Sequence, residues 1–242
     1  MYYTSEIAKK VGLHPNTVLW YEQMNYLPPV KRKENGYRMF TDIHLEQLKL
    51  IKMAFRCEIL QSNLRKKAIE IIQLCARAEY EQALEQAIIY HGAIGAEKAK
   101  AEEAVRLVQE YLNLPNYYEP ALALKRNETA KYLGITIDTL RNWELNGLLE
   151  VPRKENGYRV YTNKEIRDLK IIRALRHANY SLMAILRMLA QLRNSQAPDL
   201  RQALDTPCSE EDIVYVTDKL LTSLTSAEVD AKEMMTHIKK IK

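Results

Sequence analysis

A heptapeptide rich in side chains that bind phosphate, Arg-Lys-Glu-Asn-Gly-Tyr-Arg, occurs twice in the chain, at 32–38 and at 153–159. Guanidinium, ammonium and phenol groups all donate hydrogen bonds to phosphate oxygens, and the first two also carry positive charge. The pattern therefore predicts that both copies bind a polyanion. The alternative is that these cations only solvate the surface.

The residues that could support catalysis or hold a metal form no such pattern. The five histidines are scattered, no glycine-rich phosphate loop is present, and no nucleophile has an evident base near it in the sequence. Cys57, Cys75 and Cys208 are far apart and form no C-x-x-C pair, which indicates buried structural thiols rather than a disulfide framework. We therefore expect no enzyme activity, no cofactor and no metal site.

The heptapeptide belongs to a longer internal duplication. Residues 4–27 align with 126–149, and the match continues after the heptapeptide through pairs such as Thr41 with Thr162. Each repeated unit is net basic, whereas the segments between and after the units are net acidic, within a total charge of +5. Positive charge that is concentrated in the duplicated units indicates polyanion binding.

Each unit begins with two short helices that are joined by a turn containing glycine. The first copy shows a helix at 5–11 with Ser5 as its N-cap, then Gly12, then a helix from Pro15 to Gln23. Two short helices with such a turn predict a helix-turn-helix motif, whose second helix can enter the major groove of DNA. The second copy repeats the pattern with a helix at 127–133 capped by Asn127, then Gly134, then a helix that ends near Leu145.

The second helix of each motif has a core face and an opposite, outer face. Helical periodicity places Val18 and Tyr21 of the first copy in the core, with Leu140 and Trp143 as their counterparts. The residues of the opposite face are candidates for contact with bases or phosphates. They are Asn16, Thr17, Leu19, Trp20 and Gln23 in the first copy, and Asp138, Thr139, Arg141, Asn142 and Leu145 in the second.

The two heptapeptides lie between β-prone segments and predict hairpins. The Asn-Gly pairs at 35–36 and 156–157 favour a two-residue type I′ turn, because both residues tolerate positive φ. A basic hairpin beside a helix-turn-helix is a wing, and helices at 42–55 and 163–178 complete the two units. The candidate DNA-binding residues of the wings are Arg32, Lys33, Tyr37 and Arg38, and Arg153, Lys154, Tyr158 and Arg159.

The two units resemble the winged-helix domain of the MerR-type regulators. That domain contains segments like E-x-A-x-x-x-G, T-L-R-Y-Y-E and E-N-G-Y-R-x-Y, and this combination occurs here twice at the correct spacing, over roughly half of the chain. The matching segments are 6–12, 17–22 and 34–40 in the first copy, and 128–134, 139–144 and 155–161 in the second.

The resemblance implies double-stranded DNA as the partner and action at a promoter with RNA polymerase, by distortion of the DNA between the polymerase's elements. It also implies that Tyr37, Arg38, Tyr158 and Arg159 contact the DNA backbone. Arg141 matches the arginine of the family's recognition helix.

The two recognition helices depart from the family pattern at different positions. Leu19 stands where the family has arginine, and Asn142 stands where it has the aromatic residue that Trp20 replaces in the first copy. Leu19 could contact a thymine methyl group, and Asn142 could bind adenine. Alternatively, one copy has drifted and binds DNA only through phosphates.

Two long segments with heptad spacing follow the units. Small and apolar residues recur at this spacing from Tyr80 to Tyr111 and from Ile213 to Ile241. They predict a helix at 79–112 and a C-terminal helix of similar length at 209–242. Gly92 and Gly95 would allow either close helix approach or a kink in the first of these helices.

The resemblance implies that such long helices pair antiparallel in a dimer. The linker at 113–124 can span up to about 40 Å when fully extended. We therefore hypothesise that one chain folds as a pseudo-dimer, with a homodimer through the long helices as the alternative.

The predicted fold is mainly α, with two winged helix-turn-helix domains that each carry a small β-hairpin wing and are each followed by a long coiled-coil-type helix. A chain with 47% hydrophobic residues and only 7 glycines in 242 residues agrees with a globular, helical protein. The N-terminus lacks an apolar signal core and no apolar run approaches a membrane span, so we expect a cytoplasmic protein without a membrane partner. The predicted divisions are 1–78 for the first winged domain, 79–112 for its long helix, 113–124 for the linker, 125–195 for the second winged domain and 209–242 for the C-terminal helix.

The predicted function is that of a sequence-specific, double-stranded DNA-binding transcriptional regulator with two unequal DNA-binding domains. The alternative is an architectural or recombination-associated DNA-bending protein built on the same modules. No segment of the sequence indicates an effector ligand.

Overall fold

The computed structural model describes residues 1–56, 63–113, 121–153, 157–194, 199–206 and 216–242. The chain divides into two compact units, one formed by 1–97 with 223–242 and the other by 98–222. Helices dominate both units, and the predicted mainly α fold with small β wings is confirmed. The elements up to the middle of the chain are α1 (Thr4–Val11), α2 (Pro15–Gln23), β1 (Lys31–Arg32), β2 (Arg38–Met39), α3 (Asp42–Ala54), α4 (Leu64–Ala76) and α5 (Tyr80–Asn113). They are followed by β3 (Ala123–Leu124), α6 (Arg126–Leu133), α7 (Ile137–Leu145), β4 (Tyr161–Thr162), α8 (Asn163–His177), α9 (Leu182–Asn194), α10 (Leu200–Asp205) and α11 (Leu220–Ile241).

The first helix of each motif begins earlier than the sequence predicted. Helix α1 follows Tyr3, whose backbone N–H donates to Glu6 Oε2 at 2.7 Å, and Lys125 makes the equivalent bond to Glu128 Oε2 at 2.8 Å. The assignment of Ser5 as an N-cap was therefore wrong, and so was that of Asn127. A glutamate in the third helical position satisfies the backbone amide of the cap residue, and this interaction sets the start of both helices.

The hairpin of the first wing is built differently from the prediction. Strands β1 and β2 pair antiparallel, and Lys33 forms backbone hydrogen bonds with both Tyr37 and Gly36. Gly36 has a φ of 81°, but Asn35 does not have a positive φ. The predicted type I′ turn was therefore wrong. The loop between Lys33 and Tyr37 has three residues, and such a loop needs only one left-handed residue, here the glycine. In the second wing, the turn residues 154–156 lie outside the described residues.

Each wing gains a third strand segment that the sequence did not predict. Tyr2 and Phe40 exchange backbone hydrogen bonds of 2.7 and 2.9 Å. In the second copy, β3 pairs antiparallel with β4. The residues just before the first helix of each motif therefore hold the outgoing strand of its wing.

The core of each winged domain follows the predicted helix faces. Val18 and Leu140 are fully buried, and Tyr21 and Trp143 are buried as well. The third helix of each domain begins after a threonine, Thr41 in α3 or its repeat equivalent in α8. Helix α4 packs against α3.

In the first unit, the beginning of α5 and the end of α11 bury small and apolar side chains. His91 Nε2 lies 3.8 Å from Glu228 Oε1, and Lys242 forms an ion pair with Glu81. Residue numbers therefore rise along one helix as they fall along the other, so the two segments are antiparallel. The buried seam residues are Ala83, Ala87, Tyr90, Ile94, Leu224, Ala227, Ala231, Met234 and Ile238.

The C-terminal helix is shorter than predicted. A 3₁₀ turn covers Val216–Lys219, and α11 begins at Leu220 and has 22 residues. The predicted α-helix at 209–242 was therefore wrong for residues 216–219. Its start is fixed by Asp205, whose carboxylate accepts from the Leu221 N–H at 2.9 Å. The predicted seam position Ile213 lies outside the described residues.

The structure tests the predictions for two glycines of α5 and for one of the three cysteines. A Cβ atom added at Gly92 or Gly95 would meet nothing within 4 Å, so close helix approach was wrong, and nothing in the structure explains glycine there. Burial raises the pKa of the Cys75 thiol to about 12, as expected for a structural thiol. Cys57 and Cys208 lie outside the described residues. In the ranges that the structure covers, no helix is both long and apolar enough to span a bilayer.

Candidate nucleic-acid interface

The first recognition helix, α2, is held by its own cap and by the turn before it. Gly12 ends α1 in the left-handed conformation, with a φ of 63°, which turns the chain toward α2. His14 Nδ1 then accepts a hydrogen bond from the backbone N–H of Asn16 at 3.2 Å, and Pro15 occupies the first helical position. These local contacts fix the N-terminal turn of α2, the part of a recognition helix that contacts base edges.

The outer face of α2 presents Leu19 and Trp20 beside polar side chains. Asn16 is exposed, whereas Thr17 and Leu19 are half-buried. Trp20 is 43% exposed and stands edge-on to Tyr26, with ring centroids 5.9 Å apart. The first copy therefore offers an indole that packs against Tyr26 and an aliphatic side chain.

The second recognition helix, α7, has a polar outer face. The Thr136 hydroxyl caps it by accepting from the Thr139 N–H at 3.0 Å. Arg141 and Asn142 are exposed, and the Asn146 side chain donates to Asn142 Oδ1 at 3.3 Å, which orients the Asn142 amide. The same positions in the two motifs therefore present different chemistry.

The tip of the first wing is an exposed basic and aromatic surface. Arg32, Lys33 and Tyr37 are all exposed, and Tyr37 is 64% exposed. Lys33 Nζ donates to the Tyr3 hydroxyl at 2.7 Å, and the Tyr3 and Tyr37 rings meet edge to face. Tyr3, a residue missed by the sequence analysis, thereby helps to position the lysine.

Arg38 lies at the base of the first wing and contacts the recognition helix. Its Nε atom donates to Glu22 Oε2 at 2.5 Å, and both side chains are mostly buried. Part of the charge of Arg38 is therefore neutralised by the protein itself. Its contact with the DNA backbone stays a prediction.

The second wing repeats this arrangement in the part that the structure describes. Arg153 and Tyr158 are exposed, and Tyr158 is 68% exposed. Arg159 Nε lies 3.2 Å from Glu144 Oε2. Lys154 lies outside the described residues.

Glu144 has more hydrogen-bond and ion-pair partners than Glu22. Arg126 Nη2 donates to it at 2.7 Å, and the Tyr161 hydroxyl donates to its other oxygen. The pKa of Tyr161 is raised to about 12, mainly by burial and to a smaller extent by the hydrogen bond to Glu144. Phe40 occupies the Tyr161 position in the first copy, so the second wing has a polar anchor that the first lacks.

Two glutamates of the site were not among the residues predicted from the sequence. Glu22 and Glu144 are repeat-identical, as are their partners Arg38 and Arg159. Opposite charges retained in both copies of a duplication were a usable signal for this pairing. Arg126 gave no such signal, because the first copy has Thr4 in its place.

Among the described residues, no group of three or more His, Cys, Asp or Glu side chains could hold a metal ion.

Comparison with protein families matches the chain twice to the MerR HTH family of regulatory proteins, at 2–58 and at 125–192. The two matches cover just over half of the chain and coincide with the two winged domains.

Curated relatives match over short segments of about 50 residues. The HTH-type transcriptional regulator CueR of Salmonella typhi is 42% identical over 50 residues, 21% of this chain and 36% of the relative. The regulator ZntR of Escherichia coli K12 is 38% identical over 54 residues, 22% of this chain and 38% of the relative. The mercuric resistance operon regulatory protein of Bacillus cereus is 36% identical over 47 residues, 19% of this chain and 36% of the relative. The chain thus spans little more than a third of the length of these relatives, and no solved structure matches it significantly.

Proposed function

The chain belongs to the MerR HTH family of regulatory proteins, and we propose that it is a sequence-specific, double-stranded DNA-binding transcriptional regulator that binds unlike half-sites. This proposal rests on the difference between the two recognition helices, which occupy equivalent positions in the two winged helix-turn-helix domains. Leu19 and Trp20 are presented by α2, and Arg141 and Asn142 by α7.

These residue types favour different bases. An arginine can donate two hydrogen bonds to guanine, and an asparagine can bond to adenine. Leucine and tryptophan side chains provide apolar surface for the thymine methyl group instead. The half-site bound by α7 is therefore defined by hydrogen bonds, and the half-site bound by α2 by apolar contact.

A pseudo-dimer within one chain is the second part of the proposal. In the first unit, Arg56 of the first winged domain pairs with Asp230 of α11 at 2.5 Å. In the second unit, Arg167 Nη2 donates to the Leu112 carbonyl of α5 at 3.1 Å, and the Tyr180 hydroxyl contacts Ala101. Each winged domain is thus contacted by the long helix that follows the other winged domain in the sequence, which supports a pseudo-dimer over a homodimer.

Action at a promoter is the third part. CueR and ZntR are named as transcriptional regulators, and the proposal carries that role to this chain, with RNA polymerase as the partner and DNA distortion as the mechanism. The two half-sites would be about one or two helical turns apart.

Transcription with purified RNA polymerase tests the regulatory role. The full chain is first used to select a DNA sequence that it binds. The template carries this sequence between the promoter elements of the polymerase, and the control template carries a scrambled sequence there. We expect transcript levels to change on the first template alone. Tight binding without any change in transcription would contradict the regulatory role and favour an architectural DNA-bending protein.

A further inference from the structure

A groove of about 1000 Å³ lies beside the second recognition helix. Thr139 and Asn142 of α7 line it, and so do Arg173 and His177 of α8. Candidate DNA-binding residues therefore share a groove with side chains of a helix that the sequence analysis did not assign to binding. Positions four apart lie on the same face of a helix, so Arg173 and His177 can act on one ligand.

The basic residues of the groove differ in how far the protein already uses them. Arg176 Nη1 donates to the Tyr180 carbonyl at 2.5 Å, and Lys170 Nζ lies over aromatic rings. Arg173 and His177 are exposed, and within the part of the chain that the structure describes neither has a hydrogen-bond or ion-pair partner. The lining holds four basic side chains against one carboxylate, that of Asp138.

The first copy provides an internal comparison. Lys52 and Arg56 occupy the repeat positions of Arg173 and His177. Lys52 Nζ donates to the Val11 carbonyl at 2.6 Å, and Arg56 pairs with Asp230. Lys52 and Arg56 of the first copy are thus held by the protein, whereas Arg173 and His177 of the second copy are available to a ligand.

We propose that Arg173 and His177 bind a phosphate group of the DNA backbone beside the bases that α7 contacts, at a site that only the second copy has. This inference rests on the proposed function, because α7 must lie against DNA. A guanidinium is always charged and donates two parallel hydrogen bonds to phosphate, and an imidazole N–H adds a third. The second domain therefore supplies a larger share of the salt-dependent affinity than the first.

The salt dependence of binding tests this site. The affinity of the full chain for a duplex is measured at several salt concentrations, for the unmodified chain and for R173A, H177A and the matched control K52A. Loss of one phosphate contact reduces the slope of log K against log salt by about 0.9. We expect R173A to show that reduction and to bind several-fold more weakly. H177A should weaken binding, and K52A should keep the original slope.

Thermal unfolding of each variant identifies any loss of folding, and R173Q serves if R173A unfolds. A slope equal to that of the unmodified chain in folded R173A would overturn the phosphate site. Two duplexes, one selected by the chain and one unrelated, separate the claims. A preference for the selected duplex with unchanged slopes would overturn the site alone, whereas reduced slopes on both duplexes without any preference would overturn only the proposed sequence-specific function.

Discussion

The Nε atom of Arg38 donates a hydrogen bond to Glu22 Oε2 at 2.5 Å, which ties the first wing to the first recognition helix. The second copy keeps the contact, with Arg159 Nε 3.2 Å from Glu144 Oε2. Because a wing and a recognition helix must meet DNA together, their relative orientation matters for binding. We therefore expect the arginine of each wing to act through orientation as well as through charge.

Glu22→Gln removes the charge of this contact and keeps the size of the side chain. A hydrogen bond to a charged group contributes about 1.5–3 kcal/mol to stability, so we expect a lower melting temperature and weaker DNA binding. Glu103→Gln is the control, because Glu103 pairs with Arg106 on the exposed surface of α5 and its loss should change neither quantity. A Glu22→Gln variant that melts and binds like the unmodified chain would show that the contact does not orient the wing.

Exchanging residues between the two recognition helices should exchange their base preferences. Arg141→Leu gives α7 the residue of the first copy, and Leu19→Arg gives α2 the residue of the second. A bidentate arginine–guanine contact discriminates by about 1–3 kcal/mol, so each variant should change the preference at one half-site and leave the other unchanged. Binding of single-base variants of the selected duplex measures this. Equal effects at both half-sites would contradict separate recognition by the two helices.

Tyr161 makes the stability of the second unit sensitive to alkaline pH. Its pKa is raised to about 12 by burial and by the hydrogen bond to Glu144. An unfolded tyrosine releases its proton near pH 10, so between about pH 10 and 12 the unfolded chain has lost a proton that the folded chain retains. The stabilisation is complete below that range and is lost as the pH rises through it.

We therefore expect Tyr161→Phe to reduce the fall in melting temperature between pH 10 and pH 12. The exposed Tyr158 provides the control, because Tyr158→Phe should leave that fall unchanged. An equal fall in the Tyr161→Phe variant and the unmodified chain would contradict the assigned role of the Tyr161 hydroxyl.

The pseudo-dimer predicts that the protein in solution has the mass of one chain. The first unit already pairs segments of α5 and α11, so a second chain is not required to bury Ala87 or Ala231. Light scattering at micromolar concentrations measures the mass directly. An obligate dimer, in which variants carrying charged residues at Ala87 and at Ala231 restore each other's folding when mixed, would contradict the pseudo-dimer.

Local patterns in the sequence predicted the elements that depend on neighbouring residues. Helical periodicity identified Val18, Tyr21, Leu140 and Trp143 as core residues, and the repeated glycines marked the turns of both helix-turn-helix motifs. These features follow from interactions within a few residues of the chain. The duplication added a second, independent instance of each pattern.

Features that depend on distant residues were not predicted. The pairing of Tyr2 with Phe40 joins residues that are far apart in the sequence, and Tyr2 lies in no predicted strand. The start of α11 is set by Asp205, which lies 16 residues before Leu221. The groove beside α7 likewise depends on where α8 packs, and α8 gave no binding signal in the sequence.

Selection of bound duplexes from a random DNA pool by the full chain tests the central claim most directly, because it reports the identity of both half-sites and their spacing. The account predicts two unlike half-sites about one or two helical turns apart, with the half-site that Arg141→Leu alters distinct from the one that Leu19→Arg alters. A perfect palindrome, or a pool without sequence enrichment, would contradict it.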